Sequence, residues 1–233
     1  MRGLPLLGLL AVALVGCDEA PRTGPRAPTS AVGAPDGAVT PRYLALGDSF
    51  TIGTGGAPSA SFPARLVERW RSRCVVRLEN VAVNGFTTDD LIEKELPSLA
   101  TFKPTFVTVA IGANDIVRGT SVDAYRANVR RILDAVAATG AKVVVVPQPD
   151  WSRSPVSASF GKTDALDASI RTFNEVLAAE ARAHGATFVD LAPLMRDQAA
   201  KKMVASDGLH PNGEAYDAWA AELARVLPAP CGG

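Results

Sequence analysis

From Arg42 to the C-terminus the chain alternates short, β-branched apolar runs with longer stretches of helical periodicity, and this alternation limits the possible folds more than any other feature. Runs of strand length occur at Tyr43 to Leu46, Val75 to Val81, Thr105 to Ile111, Lys142 to Val146 and Thr187 to Leu191. Between them, Phe62 to Arg73 carries apolar residues at helical spacing, and Thr87 and Asp90 are placed to cap a helix that reaches Leu96 before Pro97 stops it. Val122 to Thr139 closes at Gly140, Asp164 to His184 closes at Gly185, and Pro211-Asn212-Gly213 opens a last helix reaching Leu227. Parallel neighbours need a crossover, so repeated strand and helix imply parallel strands, right-handed connections and helices on both faces. The expected fold class is α/β: a three-layer α/β/α sandwich on a flavodoxin-like, five-stranded parallel sheet in the order 2-1-3-4-5.

In such a sheet, sites form beyond the carboxyl ends of the strands. Gly47-Asp48-Ser49 follows strand one, Asn84-Gly85-Phe86 follows strand two, and Gly112-Ala113-Asn114-Asp115 follows strand three. Three stretches distant in sequence therefore share one rim. Ser49 is the candidate nucleophile, and a serine hydroxyl needs a base to take its proton and donors to receive the charge that develops on the attacked oxygen. The chain has two histidines. His184 ends a helix before Gly185, where a structural role suffices. His210 follows Asp207 by three residues at the entry to the last helix, a spacing that lets one tight turn bring the carboxylate to one ring nitrogen and leave the other free. Asp150 is the second candidate for the orienting acid. The Gly-x-Ser-x-Gly elbow of α/β-hydrolases is absent around Ser49.

Gly47-Asp48-Ser49, Gly85, Gly112-Ala113-Asn114-Asp115 and Asp207-Gly208-Leu209-His210 together resemble the four blocks of the SGNH, or GDSL, hydrolases, in order and over nearly all of residues 42–227. The resemblance implies an SGNH hydrolase fold and a carboxylic ester hydrolase with Ser49 as nucleophile, His210 as base and Asp207 as its supporting acid. It implies an oxyanion hole made of the Ser49 and Gly85 backbone N–H groups and the Asn114 side-chain amide. Asp48 and Asp115 are expected to hold their loops through local hydrogen bonds. Neither a metal nor a cofactor is implied, and two histidines form no convincing metal constellation. Phe50, Ile52, Phe86, Trp151 and Phe160 either wall the substrate site or pack the loop that follows strand four.

The 233 residues are 47% hydrophobic and 21% charged, enough for one domain with a sizeable core. Lysines plus arginines and aspartates plus glutamates both number 24, which argues against a nucleic-acid partner. Arg2 and the apolar run Leu4 to Val15 read as an export signal over residues 1–16, too short to span a bilayer in the mature protein. Leu14-Val15-Gly16-Cys17 resembles the lipobox of bacterial lipoproteins, which makes Cys17 the acylated N-terminus and a membrane anchor. An ordinary export signal with an incidental cysteine is the alternative. Residues 17–41, rich in proline, glycine and alanine, read as a disordered tether, and residues 42–231 as the hydrolase domain. Cys74 precedes strand two and Cys231 follows the last helix, so both lie toward the rim opposite Ser49, as a disulfide or as two free thiols.

The expected function is a serine esterase at the bacterial cell envelope, on its periplasmic or surface side, acting as a monomer on small-molecule or lipid acyl esters. A carbohydrate O-acetyl esterase is the enzymatic alternative, and a ligand-binding surface lipoprotein the non-catalytic one.

Overall fold

The computed structural model describes residues 40–231. The expected signal peptide, Cys17 and the tether up to residue 39 lie outside the described residues.

Strand β1 (Arg42–Gly47) is interior, flanked by β2 (Arg77–Asn80) and β3 (Phe106–Ala110), with β4 (Lys142–Val145) and β5 (Thr187–Phe188) beyond β3. The sheet is parallel throughout and runs β2-β1-β3-β4-β5, the order expected from the sequence. The connections hold α1 (Ser49–Ile52), α2 (Phe62–Trp70), α3 (Thr88–Asp90), α4 (Ser98–Phe102), α5 (Ala113–Val117), α6 (Val122–Ala137), α7 (Thr163–Ala183), α8 (Ala192–Ala200) and α9 (Gly213–Val226).

Because side chains alternate along a strand, β1 feeds two cores. Tyr43 and Ala45 face the layer containing Phe62, Leu66 and Trp70 of α2 and Trp219 and Leu223 of α9. Leu44 and Leu46 face the layer built from α6 and α7, with Val129, Ile132, Phe173 and Leu177. Burying each such large side chain contributes about 1.5–3 kcal/mol before the entropy of ordering it. Cys74 and Cys231 form a disulfide with Cα atoms 5.6 Å apart, tying the segment before β2 to the chain after α9.

Several boundaries differ from the sequence reading. The apolar run 187–191 yields a two-residue strand, since Val189 N–H makes one more bond to Val145 O before Asp190 caps the turn into α8. Val189 and Leu191 are apolar because they fill the core. Helix α8, which the sequence reading lacks, follows at once, with proline in its first turn. Pro97 does not stop the helical path that starts at Thr87. The capping box of Thr87 and Asp90 forms as expected, then the backbone widens into a π-turn over Leu91–Glu95, with Leu96 N–H donating to Leu91 O. Pro97 adopts helical angles and α4 continues to Lys103, whose left-handed conformation ends it.

Candidate active site

The chain can turn sharply after β1 only because residue 47 is glycine: a Cβ there would lie 2.3 Å from both Ala110 O and Thr51 Oγ1. Asp48 then caps α1, its Oδ1 accepting from Phe50 N–H at 3.0 Å, which places Ser49 at the first position of a one-turn helix on the carboxyl rim. Asp48 is fully buried, and burial pushes its carboxyl up to about 7, against the Phe50 hydrogen bond and with the Asp115 charge adding to the rise.

His210 reaches this rim from the far end of the chain. Asp207 folds the segment into a compact turn: its Oδ1 accepts from Leu209 N–H at 2.9 Å and His210 N–H at 3.0 Å, and its Oδ2 meets His210 Nδ1 at 2.7 Å. Partial burial works to raise the Asp207 carboxyl, but the hydrogen bonds from Leu209 and His210 outweigh it and hold the group below its ordinary value. An ionised acceptor at Nδ1 selects the tautomer with its proton there and leaves Nε2 with a lone pair. Ala205 N–H bonds to His210 O at 2.7 Å, Val204 pairs with Pro211, and the His210 ring lies 5.1 Å from the Phe50 ring, centroid to centroid. Tyr216 of α9 donates to Thr54 O at 3.1 Å, tying the helix after His210 to the loop after Ser49.

The other two blocks meet beside them. Gly85 has φ +81°, and a Cβ would touch nothing within 4 Å, so glycine serves the left-handed turn and faces open space. Asn114 Nδ2 donates to Phe86 O at 3.0 Å, which uses one amide proton and leaves the second. Asp115 is buried and joins the blocks rather than its own loop, accepting from Thr88 N–H at 2.9 Å and Thr88 Oγ1 at 2.6 Å. Asp48 makes the local bond expected of it; Asp115 makes a longer-range one.

His184 is structural in its contacts, with Nδ1 at 2.7 Å from Glu180 O and Nε2 at 3.3 Å from Asp134 Oδ1, between α7 and α6. Asp150 caps the turn at Trp151–Arg153 and lies 3.9 Å from Arg153, while Asp207 occupies His210 Nδ1. Phe50 and Trp151 are buried together in the core cluster, Phe160 is an exposed residue packed edge-on against Trp151 at 5.6 Å, and Phe86 is half-buried under the Lys94 ammonium. Phe50, Trp151, Met195, Met203, Leu209 and Trp219 line a cavity of only about 30 Å³. An open groove of about 500 Å³ runs alongside Ile52, Gly53, Thr54, Ala82, Val83 and Asn84, next to Gly85.

Two residues of this neighbourhood escaped the sequence reading. Arg118 donates to Gly85 O at 2.9 Å and lies 3.7 Å from Asp90. Glu95 Oε2 accepts from Gly47 N–H at 2.9 Å. Glu95 carried a signal: it is a charged residue at the helical spacing of Leu91, Leu99 and Phe102.

A parallel sheet in this order, with these four blocks on its rim, defines an SGNH hydrolase. The chain belongs to the GDSL-like Lipase/Acylhydrolase family, whose model matches residues 45–218, and it is a carboxylic ester hydrolase. It is similar to the thioesterase 1/protease 1/lysophospholipase L1 of Escherichia coli (strain K12), 28% identical over 187 residues that cover 79% of this chain and 82% of that one. Among solved structures, TesA superposes with a TM-score of 0.67 at 24% identity, covering 80% of this chain and 98% of the other. An acetyl xylan esterase from Geobacillus stearothermophilus superposes with a TM-score of 0.66 at 19% identity, covering 79% and 93%.

Proposed function

We propose that the protein is a serine esterase that works through an acyl-serine intermediate on short to medium acyl esters, anchored at the bacterial cell envelope through Cys17 and held off the membrane by residues 17–41. His210 Nε2 takes the Ser49 proton as Oγ attacks the ester carbonyl; the C–O bond to the alcohol breaks as His210 returns the proton to the leaving oxygen. Water, deprotonated by the same nitrogen, then releases the acid. The Ser49 and Gly85 N–H groups and the free proton of the Asn114 amide receive the tetrahedral oxyanion. The observation that carries this reading is the Asp207 turn, which bonds both the backbone and the ring of His210 and so fixes the tautomer a general base needs.

The shape of the surroundings favours small acyl groups. The space beside the Gly85 turn is a shallow, open groove, and the apolar cavity behind Phe50 has room for about one water molecule. The same groove suits acetylated sugars, so O-acetyl carbohydrate esters are the second reading, in keeping with the acetyl xylan esterase of similar fold. The name of the Escherichia coli relative adds thioesters and lysophospholipids to the set worth testing. The test is kcat/KM for p-nitrophenyl acyl esters of increasing chain length, an acyl thioester and acetylated xylose, with Ser49→Ala as the blank. Turnover that is highest for the shortest acyl groups and absent in Ser49→Ala supports the reading. A maximum at long chains refutes the short-acyl reading.

A further inference from the structure

The mechanism leaves unused a buried carboxyl that holds the turn leading to the nucleophile. Strand β2 pairs with β1 only from Arg42 to Ala45, and Val81 N–H still reaches Ala45 O before that chain turns away. Gly47 N–H has therefore lost its neighbouring strand on that side. Glu95 fills the place: its Oε2 accepts from Gly47 N–H at 2.9 Å. The side chain enters from the π-turn Leu91–Glu95, on the apolar stripe formed by Leu91, Leu99 and Phe102, and Glu95 is 1% exposed. Its other oxygen, Oε1, is buried without a hydrogen-bond partner, and so is Oδ2 of Asp48, the residue after Gly47. The Ala113 N–H acts on the Asp48 carboxyl in the opposite sense to burial, favouring its charged form.

Two buried carboxyls near this turn, Glu95 and Asp48, thus each leave one oxygen without a partner, in a place where ionising both groups carries a desolvation cost of several kcal/mol each. One proton kept by the pair removes one of these charges. We propose that Glu95 is a positioning residue for Ser49: Glu95 and Asp48 carry one proton between them, and the pair fixes the Gly47-Asp48-Ser49 turn while it keeps that proton.

The electrostatics agree. Burial pushes Glu95 up to about 8, against the Gly47 hydrogen bond, with the charges of Asp48 and Asp90 adding to the rise. The other titratable groups acting on the pair are Asp115 of α5, whose carboxyl burial also raises, and the hydroxyls of Tyr125 and Tyr216, both raised by burial and held neutral. Glu95 is thus a group whose folded value lies above its unfolded value. The stability it confers is complete below the unfolded value of 4.5 and is lost as pH rises toward about 8.

The role in catalysis rests on Ser49 being the nucleophile, whereas the shared proton does not, and the test separates the two. Wild type, Glu95→Gln and Glu95→Ala of the full chain are compared by thermal melting and by kcat and KM for p-nitrophenyl acetate across the pH range. Gln reproduces the neutral form, with its amide oxygen toward Gly47 N–H. It is expected to melt with wild type near pH 4 and above it near pH 9, to keep kcat within about threefold, and to lose the alkaline fall that wild type shows. Ala is expected to lower kcat by about ten- to a hundredfold with KM little changed, because the turn shifts. A Glu95→Gln melting curve that falls with pH as steeply as wild type overturns the shared proton, whether or not Ser49 reacts and even if the alanine variant fails to fold. With the melting difference present, wild-type kcat in Glu95→Ala overturns the positioning role.

Discussion

Replacing Asp207 by asparagine gives a prediction whose size follows from the hydrogen bonds at the turn. Oδ1 of Asp207 accepts from two backbone N–H groups, Leu209 and His210, while Oδ2 faces His210 Nδ1. An asparagine keeps both backbone bonds only by leaving its oxygen at the Oδ1 position. Its NH2 then meets Nδ1, which must accept, so the ring proton moves to Nε2 and blocks the base. The opposite orientation restores the working tautomer but breaks two hydrogen bonds, at about 1 kcal/mol each. The working orientation is therefore disfavoured by roughly 2 kcal/mol, or about 30-fold. Exchanging a carboxylate for a neutral acceptor weakens support of the imidazolium by about another tenfold. Together Asp207→Asn lowers kcat by about 10²–10³-fold, with the fold intact because the two backbone bonds survive. The assay is steady-state hydrolysis of p-nitrophenyl acetate beside circular dichroism. A folded Asp207→Asn variant with more than about a tenth of wild-type kcat refutes the tautomer argument.

Asn114→Ala removes the proposed oxyanion donor and also the bond to Phe86 O, and is expected to lower kcat by about 10²–10³-fold with KM nearly constant; an unchanged kcat contradicts the assignment. The Cys74–Cys231 bridge spans 157 residues, for which chain entropy gives an upper figure of about 5 kcal/mol, so the double serine variant is expected to lose about 2–5 kcal/mol in urea unfolding. Its kcat stays at the wild-type value, since the bridge lies at the rim opposite Ser49. Equal urea midpoints refute the stabilising role of the bridge.

Much of this architecture was legible because its signals are local and repeated. Five apolar runs separated by capped amphipathic helices leave few topologies, and the observed sheet order is the one expected among them. The turn at Asp207 and His210 was legible for a similar reason, since three residues define it. Topology put both cysteines toward one rim and left a disulfide or two free thiols open, and the fold shows that they pair. What stayed hidden depended on distant partners. The two residues of β5 are a strand only because β4 lies beside them, and α8 has too weak an amphipathic pattern to announce itself. Glu95 stands out in sequence only as a charge on an apolar stripe, and its partner is set by the end of β2, which leaves Gly47 N–H without a strand. Trp151 was readable as a substrate wall or as packing, and the structure shows its packing contacts, in the core cluster that also holds Phe50.

The most direct test of the account is covalent labelling of the purified chain by a fluorophosphonate, comparing wild type with Ser49→Ala and His210→Ala. The account predicts one labelled site, at Ser49, with labelling abolished in Ser49→Ala and slowed by several orders of magnitude in His210→Ala. A folded wild-type protein that is not labelled, or one labelled equally well without His210, contradicts it.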